Sequence, residues 1–152
     1  MSQEQKIFTG FSLNSCSGGA ISLDNIPAKY IVLYFYPKDD TPGCTIEAQE
    51  FSKLKQEFKD LDVEVFGISK DDIESHKKFT KKYDLSVELL QDHEGLSEQL
   101  GIWVEKNMYG KKYFGIERTT YLLDSEKSVI KIWNKVKAEN HAEEVLEFIK
   151  QL

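Results

Sequence analysis

Residues 30–36, Tyr-Ile-Val-Leu-Tyr-Phe-Tyr, form an unbroken β-branched and aromatic run that Pro37 ends. A strand that is apolar on both sides needs both faces covered, so it belongs inside a sheet with packing layers above and below. At seven residues it is far short of the ~20 that cross a bilayer as a helix. The chain must therefore supply helices or further sheet to sandwich this strand.

The flanking pattern supplies them. Phe11–Leu13 and Ala20–Leu23 flank the turn Ser15-Cys16-Ser17-Gly18-Gly19 and predict an N-terminal β-hairpin. From Cys44 to about Lys59, the residues Ala48, Phe51, Leu54 and Phe58 recur at helical spacing. Val63–Ile68 reads as the next strand, followed by a helix that Asp71 or Asp72 caps and whose apolar face carries Ile73, Phe79 and Tyr83. A short strand near Val87–Leu90 and a small helix near Leu96–Leu100 follow, then a long loop. Thr119–Leu123 and Ser128–Trp133 flank a turn at 124–127 and predict a hairpin. Asn140, with Glu143 three residues on, reads as a capping box for a last helix bearing Ala142, Val145, Leu146, Ile149 and Leu152. This order predicts an α/β fold, a thioredoxin-like three-layer sandwich. Its mixed central sheet has helices on both faces, parallel right-handed first crossovers and an antiparallel hairpin. One domain over residues 1–152 accounts for the whole length.

Composition narrows the chemistry. Acidic residues outnumber basic ones, 26 to 20, which argues against nucleic acid or an anionic membrane as partner. The polar start, MSQEQKIFTG, lacks the layout of a secretory signal, and free thiols suit a reducing compartment, so a cytoplasmic location is expected. The two cysteines, Cys16 and Cys44, are too few for a disulfide scaffold or a four-cysteine zinc site. His76, His93 and His141 have no metal-ligand spacing, and no Gly-rich phosphate motif or dinucleotide fingerprint occurs, so neither metal nor cofactor is expected. Asp39 and Asp40 read as solvated turn residues, and the Lys pairs at 77–78, 81–82 and 111–112 as solvated faces. Trp103 and Tyr109 fall in the long loop, with roles either at a site mouth or in core packing.

The segment between the buried strand and the first helix carries the chemistry. Ligands in open α/β sheets gather beyond the carboxyl ends of the strands, which is where residues 37–45, Pro-Lys-Asp-Asp-Thr-Pro-Gly-Cys-Thr, lie. Cys44 falls in the first helical turn, where unpaired N–H groups and the positive dipole end favour an anion. Helix N-termini and nearby cations favour thiolate over thiol. Gly43 permits close approach of backbone to a ligand, Pro37 and Pro42 stiffen the loop, and Thr41 places a hydroxyl three residues before the thiol. Of the twenty basic residues only Arg118 is an arginine, which singles it out where a planar two-pronged donor is needed.

The spacing P-x-x-x-T-x-x-C, here Pro37, Thr41 and Cys44, matches the active-site signature of the peroxiredoxins. The longer string YPKDDTPGCTIEA closely resembles their Q-type subfamily, also called bacterioferritin comigratory protein. The FSL…ISL hairpin, the segment GIWVEKNMYGKKYFGIERTTYLLD and the final helix extend the similarity over nearly the whole chain. The resemblance implies a thiol-dependent peroxidase that reduces hydrogen peroxide and organic hydroperoxides. Cys44 would be the nucleophile, with Gly43 and Cys44 N–H groups, the Thr41 hydroxyl and Arg118 holding the peroxide oxygens and Pro37 shielding the sulfur. Arg118 closes the G-I-x-R segment that faces the thiolate in the family. Glu47, one turn after Cys44, is a candidate to orient Arg118, or else only a first-turn acid on the helix dipole.

The chain departs from the subfamily at Gln49, where many members carry a resolving cysteine. Cys44 would then act in a one-Cys mechanism, recycled by thioredoxin, glutaredoxin or a small thiol, as a monomer or weak dimer. Cys16, expected in an exposed and mobile hairpin tip, is the candidate resolving partner in an alternative two-Cys scheme. A redox-inactive binding module on the same fold is the alternative from another class. A disulfide reductase would want Cys three residues after Cys44, where Glu47 stands, and a cysteine hydrolase would want a histidine linked to the thiol.

Overall fold

The computed structural model describes Phe8 and residues 10–152; Phe8 and Gly10 apart, the polar start with no secretory pattern lies outside them. In chain order the elements are β1 Ser12–Ser15, β2 Ala20–Ser22, a 3-10 turn Leu23–Asn25, β3 Tyr30–Phe35, α1 Pro42–Lys53, α2 Lys55–Asp60 and β4 Val63–Ser69. There follow α3 Ile73–Tyr83, β5 Glu88–Gln91, α4 Leu96–Gln99, β6 Trp103–Met108, β7 Lys111–Ile116, β8 Thr119–Asp124, β9 Val129–Trp133 and α5 His141–Lys150.

The apolar run is β3, and its residues 31–35 are all 0 % exposed. It lies inside a seven-stranded mixed sheet of order β2-β1-β5-β4-β3-β8-β9, parallel to β4 and antiparallel to β8. Period-two alternation sends Val32 and Tyr34 to one face, with Phe51 of α1, Phe58 of α2, Phe79 of α3 and Val145 of α5. Tyr34 stacks on Phe51 at 4.5 Å between ring centroids. Ile31, Leu33 and Phe35 face the other layer, built from Phe8, Leu23 of the 3-10 turn, Leu96 of α4 and Ile116. Helices thus lie on both faces, unequally: the long ones share the Tyr34 face. The fold is the expected thioredoxin-like one with a mixed central sheet, and the N-terminal hairpin extends that sheet through β1, which pairs with β5.

Register explains why the site forms where it does. Phe35 pairs with Ile68 of β4 and with Thr119 of β8. Arg118, one residue before Thr119, therefore lies just past the carboxyl end of β3, where the chain turns into α1.

Several local expectations are corrected. The helix from Cys44 to about Lys59 is two helices, because the backbone leaves helical geometry at Leu54, with ψ 4°. The long loop before Arg118 is a hairpin, β6 against β7, in a two-stranded sheet of its own. It escaped a pattern reading because both strands are largely polar and exposed, so no alternation marks them. The Asn140 capping box does not form: Asn140 is left-handed (φ +65°), its side chain caps nothing, and its N–H donates to Glu50 of α1. Asp72, not Asp71, caps α3, accepting from the Ser75 N–H at 2.9 Å.

Gly67 marks the tightest place in this core. A Cβ there would lie 2.6 Å from the Tyr34 ring and 2.9 Å from Leu89. Tyr34 is pinned between Phe51 and the sheet and cannot yield. Gly67→Ala is expected to lower unfolding free energy by about 1–3 kcal/mol, measured by urea denaturation.

Candidate active site

The N-terminus of α1 is assembled from residues that leave its donors free. Thr41 occupies the N-cap position and Pro42, which has no N–H to lose, begins the helix. The first intrahelical bond runs from Thr45 N–H to the Thr41 carbonyl, so the N–H groups of Gly43 and Cys44 have no helical acceptor. The Thr41 hydroxyl does not cap the helix but donates to the Lys38 carbonyl at 2.8 Å, which leaves its oxygen lone pairs free to accept.

Cys44 is 1 % exposed and faces Arg118. One guanidinium nitrogen of Arg118 lies 3.4 Å from the sulfur, and the other donates to Glu47 Oε1 at 2.6 Å. Cys44 and Glu47 are one helical turn apart, so a single planar fork spans both. The approach is close: a Cβ at position 43 would sit 3.0 Å from an Arg118 nitrogen, so any larger residue would press on the guanidinium. The Arg118 carbonyl is held by Val136 N–H at 3.0 Å.

Electrostatically the site is a buried triad. Glu47 is fully buried, and its second oxygen has no hydrogen-bond partner among the described residues. Burial raises its pKa, Arg118 pulls it down, and the net position is about 7. Burial works against the charge on Arg118, but Glu47 and Cys44 outweigh it and hold the guanidinium above its usual pKa. Lys106 adds a second cation: its ammonium donates to the Ile116 carbonyl at 2.7 Å, and burial followed by Arg118 pushes its pKa below the usual lysine range. A cavity of about 520 Å³ opens beside the loop, lined by Pro37, Thr41, Trp103, Lys106, Tyr113 and Phe114 among others.

The structure thus brings together Gly43, Cys44, Glu47 and Arg118, with Thr41 at the head of the same helix and Pro37 and Thr41 in the lining of the cavity beside the loop. It does not bring Cys16 to them. Cys16 is half-buried rather than fully exposed, its N–H bonded to the Leu89 carbonyl and its sulfur 3.9 Å from the Thr80 hydroxyl. It lines a different cavity, of about 330 Å³, with Lys77, Thr80 and Val87. Gln49 is exposed on α1. Trp103 lines the larger cavity, whereas Tyr109 at the tip of the β6–β7 hairpin is 98 % exposed and does neither of the things considered for it.

Two residues read as unremarkable prove structural. Asp39 is buried rather than solvated, and His76, with which it pairs at 2.7 Å, is fully buried. His76 lies three residues from Ile73 and three from Phe79, on the apolar stripe of α3, which was the available signal. Asp39 carried none. His141 is also buried, bonded to Thr120 at 2.8 Å.

Comparison with known proteins fits this geometry. Residues 5–132 match the AhpC/TSA family. The Bacillus subtilis peroxiredoxin Bcp is 46 % identical over 136 residues, covering 89 % of this chain and 87 % of that protein. The bacterioferritin comigratory protein of Xanthomonas campestris, studied for alkyl peroxide reduction, superposes with a TM-score of 0.88 at 36 % identity, covering 98 % of this chain and 96 % of that one. A Cys→Ser variant of Xylella fastidiosa PrxQ superposes at 0.90 with 32 % identity, covering 99 % and 94 %.

Because the folded-state pKa of Glu47 lies above its unfolded value of 4.5, the unfolded chain loses that proton first as pH rises. Stability should therefore fall as pH climbs from 4.5 through 7, by up to about 1.4 kcal/mol per pH unit from this group. Glu47→Gln should flatten that segment of the stability–pH curve, measured by urea melts at successive pH values.

Proposed function

The chain belongs to the AhpC/TSA family, as a thiol-dependent peroxiredoxin of the Bcp or Q type, and on that premise we propose that Cys44 is its peroxidatic cysteine, working in a one-Cys cycle. The observation that carries this reading is the Arg118 fork on Cys44 and Glu47. A guanidinium beside the sulfur stabilises the thiolate, the form that attacks.

The thiolate attacks the terminal oxygen of a hydroperoxide, and an S–O bond forms as the O–O bond breaks. Sulfur is oxidised to sulfenic acid, and the leaving oxygen departs as alkoxide or hydroxide, then takes a proton to become alcohol or water. Negative charge moves from sulfur to that oxygen, and donors fixed along the path stabilise it. Arg118 and the free N–H groups of Gly43 and Cys44 fill that role. The Thr41 oxygen, its own proton given to Lys38, is free to accept the hydrogen of the peroxide. Pro37, which lines the cavity, would shield the sulfur from that side. The organic remainder of an alkyl hydroperoxide would occupy the cavity along Trp103, Tyr113 and Phe114, while hydrogen peroxide would leave it empty.

Recycling falls to an external thiol, of thioredoxin, glutaredoxin or small-molecule type. Cys16 lines a separate cavity, and Gln49 stands where a resolving thiol would be. The sulfenic acid condenses with one external thiol, releasing water, and a second thiol releases Cys44 as its own disulfide is made.

Steady-state turnover with dithiothreitol tests the assignment. Cys44→Ser should abolish it, and Arg118→Lys should lower kcat/KM for peroxide by about 10²-fold, as loss of one oriented donor does. Cys16→Ser should leave it within about twofold. Undiminished turnover in Cys44→Ser would remove the assignment, and collapse in Cys16→Ser would favour the two-Cys scheme.

A further inference from the structure

Asp39 takes no part in the chemistry just described, yet three hydrogen bonds converge on its buried carboxylate. Tyr36 donates to Oδ1 at 2.6 Å, while the Ser75 hydroxyl donates to Oδ2 at 2.7 Å. His76 Nδ1 lies 2.7 Å from the same Oδ2. The backbone N–H of Asp39 donates to Asp71 at 2.8 Å. His76 Nε2 faces the Leu90 carbonyl at 3.0 Å, which can only accept, so that nitrogen carries a proton. A second proton must lie between Nδ1 and Oδ2, and the pair is net neutral whichever atom holds it. Buried and closed by β5, this is a fully satisfied network.

Its position matters. Asp39 is two residues after Pro37 and two before Thr41, at the middle of the loop that presents Cys44. Asp40 is also tied to α3, through Lys82 at 2.8 Å and Tyr83 at 2.6 Å, but on the exposed side, where such pairs contribute little. The buried hold on the loop is the Asp39–His76 pair. A hydroperoxide is a far smaller partner for Cys44 than any thiol-bearing reductant. A reductant must bring its own sulfur onto the sulfenic sulfur, and at 1 % exposure Cys44 offers no such approach. Access for a reductant needs the segment around Cys44 to open, and Asp39 is where the loop before it is tied to α3.

We propose that the Asp39–His76 pair is the latch of the active-site loop, a pair of positioning residues that sets the balance between a closed, peroxide-reactive state and an open, reductant-accessible one. The inference rests on the role proposed above for Cys44. A weaker latch moves the two half-reactions in opposite directions, whereas simple damage to the site lowers both.

The test compares Asp39→Ala and Asp39→Asn with the wild type. The second-order rate of Cys44 oxidation by hydrogen peroxide is followed by stopped flow. The rate of Cys44 alkylation by iodoacetamide is followed by intact mass. In Asp39→Ala, oxidation should slow about tenfold and alkylation accelerate about tenfold, the size expected for losing a buried charge-assisted contact. In Asp39→Asn, the amide can donate to a neutral His76 and keeps part of the tie, so both shifts shrink to about threefold with the same signs. Folded variants whose two rates stay within about twofold of the wild type, or fall together, overturn the latch. If circular dichroism shows Asp39→Ala unfolded, Asp39→Asn decides by the same opposite-sign criterion. If peroxide pretreatment fails to protect wild-type Cys44 from alkylation, the fault lies with the role of Cys44 and not with the latch.

Discussion

Arg118 holds two partners at once, the sulfur of Cys44 and the carboxylate of Glu47, and the surrounding structure is arranged to permit it. The antiparallel register of β8 on β3 delivers the arginine to the carboxyl end of the buried strand. Helical spacing places Cys44 and Glu47 on one side of α1, a turn apart. Glycine at 43 leaves the space the guanidinium needs. A lysine could not span these partners, because it is a single mobile point charge rather than a fork.

This arrangement is costly in isolation. Glu47 is fully buried with one oxygen unpartnered among the described residues, and its pKa of about 7 expresses that burial against the pull of Arg118. Burying an ion pair seldom stabilises a fold by itself. Here the return is chemical: a positive charge fixed beside sulfur before the reaction begins, needing no reorganisation when charge shifts to the leaving oxygen. The apolar sandwich around β3, with Tyr34 stacked on Phe51, supplies the rigidity that keeps it there.

The parts of the fold legible in the sequence were those governed by strong periodicity. The seven-residue apolar run announced the central strand, and Ala48, Phe51 and Phe58 announced the helical layer. The β6–β7 hairpin was invisible because its strands are polar and exposed, and α1 and α2 merged because the apolar spacing continues through Leu54. At the site, the motif around Cys44 and the solitary Arg118 could be picked out because composition and spacing made them stand apart. Asp39 could not, since an acidic residue in a turn reads the same whether water or a buried histidine receives it. Only three-dimensional closure of α3 and β5 over the loop distinguishes the two. The Ser/Gly-rich sequence around Cys16 reads as a mobile tip, whereas the sheet extends to include β1 and ties Cys16 to Leu89.

The most direct test of the account is to identify the oxidised species formed by one equivalent of hydroperoxide, using intact mass and peptide mapping with a sulfenic-acid trap. The account predicts one trap adduct per chain, on Cys44, with Cys16 still a free thiol. A stoichiometric Cys16–Cys44 disulfide, or an adduct on Cys16 with Cys44 unmodified, would contradict it.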